Sequence, residues 1–126
     1  SLSKVASGGE ISRILLSIAL ELSDSLESKT IIFDEPDIGL GGAIAEKLGQ
    51  KISTLSKTSQ VICISHLPQV AAFADNHLLV KKNDSEISKI STSILTKEEK
   101  IEEIARMLSG EKLEEEAYIL AEKMIR

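Results

Sequence analysis

Apolar positions along this chain change rhythm several times, and each change marks an element. Between residues 8 and 22, Ile11, Ile14, Leu15, Ile18 and Leu22 recur at helical spacing. Leu16, Ala19 and Leu20 widen that stripe, which predicts a well-buried helix. Ser7 fits its N-cap, and Glu10 three residues later completes an S-x-x-E capping box. Residues 30–34 form a short apolar run that ends in Asp34 and Glu35, which reads as a buried strand. After the glycine-rich turn at Gly39, Gly41 and Gly42, residues Leu40, Ile44, Leu48, Ile52 and Leu55 give a second helical stripe. Gln60 to Ile64 is β-branched and apolar, a second strand that ends at Ser65-His66.

This strand–helix–strand order predicts a right-handed crossover and a parallel sheet. Leu67 to Ala74 reads as a short helix or turn, with Pro68 tolerated in its first turn. Leu78 to Lys82 and Ile87 to Leu95 read as two strands paired as a hairpin around the Asn83-Asp84 turn signal. Two helices close the chain. Ile101, Ile104, Ala105 and Leu108 mark the first, which Ser109-Gly110 stops, and Leu113, Ala117, Leu120, Ala121 and Met124 mark the second. The mixed charges around these two helices read as solvated faces. The expected fold class is α/β: a mainly parallel sheet flanked by helices, with a small antiparallel hairpin and two C-terminal helices.

Composition narrows the function. A chain of 126 residues is one domain's worth, and 42% hydrophobic residues are too many for disorder. A formal charge of −5 argues against a surface built to hold DNA phosphates. With 2% aromatics there is no base-stacking platform. The lone Cys63 lies in an apolar run and permits no disulfide within the chain, which fits a reducing compartment. No 18-residue apolar stretch or signal-peptide pattern occurs, so a cytosolic chain without membrane partners is expected. The sequence enters its first glycine motif at once, with no strand before it, as a chain cut from something longer would.

The candidate chemistry collects at turn and strand ends. Ligands of open α/β sheets bind beyond the carboxyl ends of strands, and Asp34-Glu35 sits at one such end. A tandem acid pair suits a magnesium nucleotide, one carboxylate holding the metal shell and the next handling the attacking water. Ser7-Gly8-Gly9-Glu10 opens a helix, Asp37 follows the acid pair, and Ser65-His66 ends the next strand. Alone, each has a plain structural reading: a capped helix, a turn aspartate, a strand-end histidine. Arg13 reads equally as a surface arginine and as a nucleotide contact.

In their order and spacing, these elements resemble the second half of an ABC-type P-loop ATPase head. The resemblance is closer to the RecN family of bacterial DNA-repair proteins, relatives of the SMC family. It is carried by Lys4-Val5-Ala6-Ser7-Gly8-Gly9-Glu10-Ile11-Ser12-Arg13, by Phe33-Asp34-Glu35, by Ser65-His66-Leu67-Pro68-Gln69-Val70-Ala71, and by Ile104-Ala105-Arg106-Met107-Leu108-Ser109-Gly110. The resemblance implies a cofactor, ATP with Mg2+, and a role for each residue. Ser7, Gly8, Gly9 and Glu10 resemble the signature turn, which serves ATP held by a second head. Asp34 resembles the Walker B metal-side aspartate, Glu35 the catalytic glutamate, Asp37 the D-loop residue that crosses between heads, and His66 the H-loop histidine at the γ-phosphate. Pro36 is common at this place in transporter heads, and the loop at 38–42 is richer in glycine than the family pattern, so a transporter ATPase half stays open as an alternative, as does a non-catalytic interaction fragment.

The sequence contains no G-x-x-x-x-G-K-[ST] phosphate loop and no heptad run. The resemblance therefore implies that residues 1–126 form a single partial domain, the C-terminal lobe of a head, without the Walker A lobe and the coiled coil. The implied partners are a second head, the missing N-terminal lobe, and DNA through the complete protein. The implied location is the bacterial cytoplasm, at the nucleoid. By itself the chain is expected to be inactive, and to self-associate through bare apolar surface and a strand edge.

Overall fold

The computed structural model describes residues 8–22, 29–83, 89–110 and 114–125. In chain order it forms α1 (Gly8–Glu21), β1 (Thr30–Asp34), α2 (Gly42–Leu55), β2 (Gln60–Ile64), α3 (Pro68–Ala71), β3 (Leu78–Asn83), β4 (Lys89–Ile94), α4 (Lys97–Ser109) and α5 (Glu115–Met124). The chain, read from sequence as one partial domain, divides into two compact units, Ser1–Phe73 and Ala74–Arg126. Ser7 and its capping box, Asp84 and Leu113 lie outside the described residues.

In the first unit β1 and β2 pair in parallel, in register from Thr30 opposite Gln60 to Asp34 opposite Ile64. Strand periodicity sends alternate residues to opposite faces. Ile31, Phe33, Val61 and Cys63 face inward, where they join Leu16, Ala19, Ala45, Leu48, Leu55 and Val70 in one core. Ile32, Ile62 and Ile64 take the other face and stay exposed, Ile32 at 64%. Helix α2 comes close to α3 at Gly49: a Cβ there would stand 2.6 Å from the Phe73 ring and 3.0 Å from the Gln69 carbonyl.

The first helix packs on a different side from the one expected. Leu16 and Ala19 are buried, whereas Ile11, Ile14, Leu15, Ile18 and Leu22 are exposed. A helix that is apolar nearly all round does not encode which stripe meets the core. Likewise Ile44 of α2 is exposed while Ala45 and Leu48 are buried, and Leu120 of α5 is exposed while Ala117 and Ala121 are buried. In each case the small residues mark the close approach.

In the second unit β3 and β4 form the expected antiparallel hairpin, from Leu78 opposite Ile94 to Asn83 opposite Lys89. Helix α4 starts at a reciprocal capping box that the sequence reading passed over: Thr96 Oγ1 accepts from Glu99 N at 3.2 Å, and Glu99 Oε2 accepts from Thr96 N at 2.7 Å. It stops at Gly110, whose φ of 77° suits a residue without a Cβ. Ile104 and Ala105 are fully buried. Two charges expected on a solvated face are buried beside them. Lys100 donates to the Ala74 carbonyl, and Glu103 accepts two hydrogen bonds from Arg106, at 2.8 and 2.6 Å. Buried charge is tolerable when it is paired in this way. Burial pushes the Lys100 ammonium below its ordinary range, with Asp75 opposing.

Candidate active site

The parallel register brings the chemistry-bearing residues together. Asp34 and Ile64 are Cα partners at the carboxyl ends of their strands. Glu35 prolongs the ladder by donating its N–H to Ile64 O at 3.0 Å. His66 follows two residues beyond Ile64, so the acid pair and the histidine emerge from neighbouring strand ends. Asp34, Glu35 and His66 are all exposed.

Glu35 has φ 44°, the sole non-glycine positive φ among the described residues. Such a backbone costs on the order of 1 kcal/mol and persists where its surroundings hold it. The constraints are visible. Ile38 N donates to Glu35 O at 3.3 Å, closing a turn. Arg13 Nη1 reaches across from α1 and donates to Pro36 O at 3.0 Å and Ile38 O at 3.2 Å. Ser12 Oγ donates to Asp34 O at 3.2 Å. Gly9 completes the fit: a Cβ there would lie 3.1 Å from Arg13 Nη1, 3.2 Å from Ile38 Cβ and 3.4 Å from Glu35 O. The glycine turn at the start of α1 therefore packs directly on the turn that aims Glu35.

Asp37 was expected at a surface between two heads. Its side chain is instead fully buried, at 0% exposure. One oxygen, Oδ2, accepts from Ser65 Oγ at 2.7 Å, Leu67 N at 3.2 Å and His66 N at 3.3 Å. His66 Nδ1 lies 3.3 Å from the same oxygen. Asp37 thus fastens the turn after β1 to the segment after β2. Behind it, burial pushes the Cys63 thiol up to about 12, with the Asp37 charge adding to the effect.

Among the described residues, no cluster of three or more His, Cys, Asp or Glu side chains could hold a metal ion. Magnesium does not require one: it binds through one or two carboxylates and completes its shell with water and nucleotide phosphates. The exposed Asp34-Glu35 pair fits that requirement.

No protein-family model matches the chain. Individual proteins do. It is 48% identical over 116 residues to the DNA repair protein RecN of Halalkalibacterium halodurans, covering 90% of this chain and 20% of that protein. It is 48% identical over 112 residues to RecN of Bacillus subtilis, covering 87% and 19%. It is 40% identical over 125 residues to RecN of Streptomyces coelicolor, covering 98% and 22%. The chain matches the C-terminal part of RecN. It spans about a fifth of the length of these relatives. A solved structure of an SMC ATPase, described with its ATP-driven dimerisation and DNA-stimulated activation, shares the α/β fold. Its TM-score is 0.59 at 24% identity, with 86% of this chain and 66% of that chain covered.

Within this RecN-like segment, the supporting residues were harder to read than the exposed ones. Arg13 read as a surface arginine or a nucleotide contact, Ser12 was named only within the motif, and nothing in their spacing announced contacts to a turn more than 20 residues away. Arg13 proves to be neither a free surface arginine nor aimed at open solvent: its guanidinium carries two carbonyls of the 35–39 turn. No described helix is long and apolar enough to cross a membrane.

Proposed function

We propose that this chain is the signature and Walker B part of the ATP-binding head of a RecN-like protein of DNA double-strand-break repair and recombination, acting in the bacterial cytoplasm at the nucleoid. The observation that carries the reading is the packing of the Gly9 turn and Arg13 of α1 onto the turn that holds Glu35 at positive φ, beside His66 on the neighbouring strand end.

In this reading Asp34 holds the shell of the Mg2+ that accompanies ATP. The metal would neutralise charge on the phosphates. Glu35 accepts a hydrogen bond from the attacking water and draws off its proton. His66 meets the γ-phosphate. Ser7, Gly8, Gly9 and Glu10 present backbone N–H groups and a helix dipole to the phosphate of ATP held by a second head. The phosphate cradle belongs to an N-terminal lobe, and DNA is a partner of the complete protein. A solvent-exposed acid pair without a cradle has no means of fixing a nucleotide, so the isolated 126-residue chain does not turn over ATP. The RecN matches favour this reading over a transporter head.

The test is Glu35→Gln in the complete protein. It keeps the shape and removes the base, so steady-state hydrolysis should fall at least about a hundredfold, while ATP still drives head dimers visible by size exclusion with light scattering. Wild-type turnover by that variant would overturn the role of Glu35.

A further inference from the structure

The burial of Asp37 changes what its carboxylate can do. A group at 0% exposure does not reach a ligand or a second head without leaving its pocket. Its acceptor capacity is turned one way: Oδ2 meets Ser65 Oγ, Leu67 N, His66 N and His66 Nδ1 within 3.3 Å, whereas the buried Oδ1 has no hydrogen-bond partner among the described residues. Ser65 Oγ in turn accepts from Leu67 N at 3.1 Å, which ties the same three residues a second time. The His66 ring itself is 59% exposed, so one edge faces Asp37 and the rest is open.

The proton follows from chemistry. A ring nitrogen set against a carboxylate oxygen is stable there only if it carries hydrogen, and the hydrogen bond at one nitrogen decides the state of the other. Nδ1 therefore carries hydrogen, and Nε2 is left to accept from the attacking water or, once it too is protonated, to donate to a phosphate oxygen. A neutral histidine ring with no partner at Nδ1 favours the Nε2–H tautomer and samples other rotamers.

We infer that Asp37 is a positioning residue for His66: from inside the fold it fixes the ring's orientation and its Nδ1–H form, so that Nε2 is presented at the strand ends. The inference rests on the reading of His66 as a phosphate-side group, and it replaces a contact between heads by a contact within one.

The experiment uses the complete protein with 15N-labelled histidine and compares wild type, Asp37→Asn, Asp37→Ala, Ser65→Ala and His66→Ala. Ring 15N shifts report the tautomer of His66, its signal assigned by its loss in His66→Ala. ATP turnover gives kcat and KM. Asp37→Ala should move His66 to the Nε2–H form and lower kcat about tenfold with KM little changed. That split marks a loss confined to the transition state. Asp37→Asn keeps an oxygen where Oδ2 stood, so it should retain the Nδ1–H form and recover most of the kcat lost in Asp37→Ala. Ser65→Ala removes a donor that competes for Oδ2 and should leave the tautomer in place; it carries the test together with Asp37→Asn if Asp37→Ala does not fold. A wild-type protein with His66 in the Nε2–H form overturns the inference. So does an Asp37→Ala protein that keeps the Nδ1–H form, or an Asp37→Asn protein that loses it. If His66→Ala hydrolyses ATP normally, the proposed role of His66 falls, and the ring spectra alone still decide whether Asp37 holds the ring.

Discussion

At the residue scale, the difference between Asp34-Glu35 and Asp37 is one of environment rather than chemistry. All three are acids within four positions of chain, yet two point outward at a strand end and one is enclosed. Sequence carries residue type and order, so it marked all three as a site, but enclosure depends on the segment after β2, 28 to 30 residues away. Cys63 registers the same enclosure from the other side. It lies on the inner face of β2, opposite Phe33 in register. Burial first, and the negative charge of Asp37 second, raise its thiol from 9.0 to about 12. A thiol whose folded value is raised favours folding in its protonated form. That contribution is complete below pH 9 and is lost as pH rises toward 12. The thiolate is the reactive form, so the folded chain should be alkylated by iodoacetamide at pH 8 on the order of a hundredfold more slowly than the chain in concentrated urea. Mass spectrometry of timed samples checks this, and equal rates in both solvents would remove the enclosed setting of Cys63.

At the scale of elements, nearly every helix and strand was legible, because each carries its own period and its own stop signal. The strand bounds at 30–34 and 60–64, and the stop of α4 at Gly110, follow from local residues alone. What the pattern did not yield was which side of each helix meets a neighbour. Large apolar residues announced the stripes of α1 and α2, but the observed contacts run along Ala19, Ala45 and Gly49, where backbones approach closely. Gly49 is the sharpest case. A methyl group there would meet the Phe73 ring at 2.6 Å and the Gln69 carbonyl at 3.0 Å, and a carbonyl does not rotate away as a side chain does. Helix propensity alone would make Gly49→Ala stabilising by roughly 1 kcal/mol in mid-helix. Overpacking opposes that with about 1–3 kcal/mol. The net expectation is destabilisation by about 1 kcal/mol, read as a lower urea midpoint with an unchanged slope. A higher midpoint would mean that α2 and α3 stand further apart than described. Gly42→Ala, where nothing lies within 4 Å of the added atom, is the matched control.

At the scale of the whole molecule, the unusual property of this chain is how much apolar surface it leaves to water. Among the described residues, the two-stranded sheet of the first unit is covered on one face only, and Ile32, Ile62 and Ile64 form a row on the other. In the same unit Ile14, Leu15 and Ile18 of α1, and Leu22 just after it, are half-exposed. In the second unit Leu78, Val80, Ile90 and Ile94 line one exposed face of the hairpin. Single exposed apolar residues are ordinary, but contiguous rows on sheet faces mark surfaces that bind something. A two-stranded sheet also presents unpaired strand edges, which recruit further strands. The isolated chain should therefore self-associate at roughly 50 µM, a concentration at which exposed apolar faces and open edges already drive association. Light scattering should give a mass above that of a 126-residue monomer, rising with concentration. Ile32→Lys with Ile62→Glu places opposite charges side by side in register on the open face, so it should lower the association without melting the sheet. A concentration-independent monomer for the unsubstituted chain would show that these faces are closed in solution. Association undiminished in the doubly substituted chain would move the contact to α1 or to the β3–β4 hairpin.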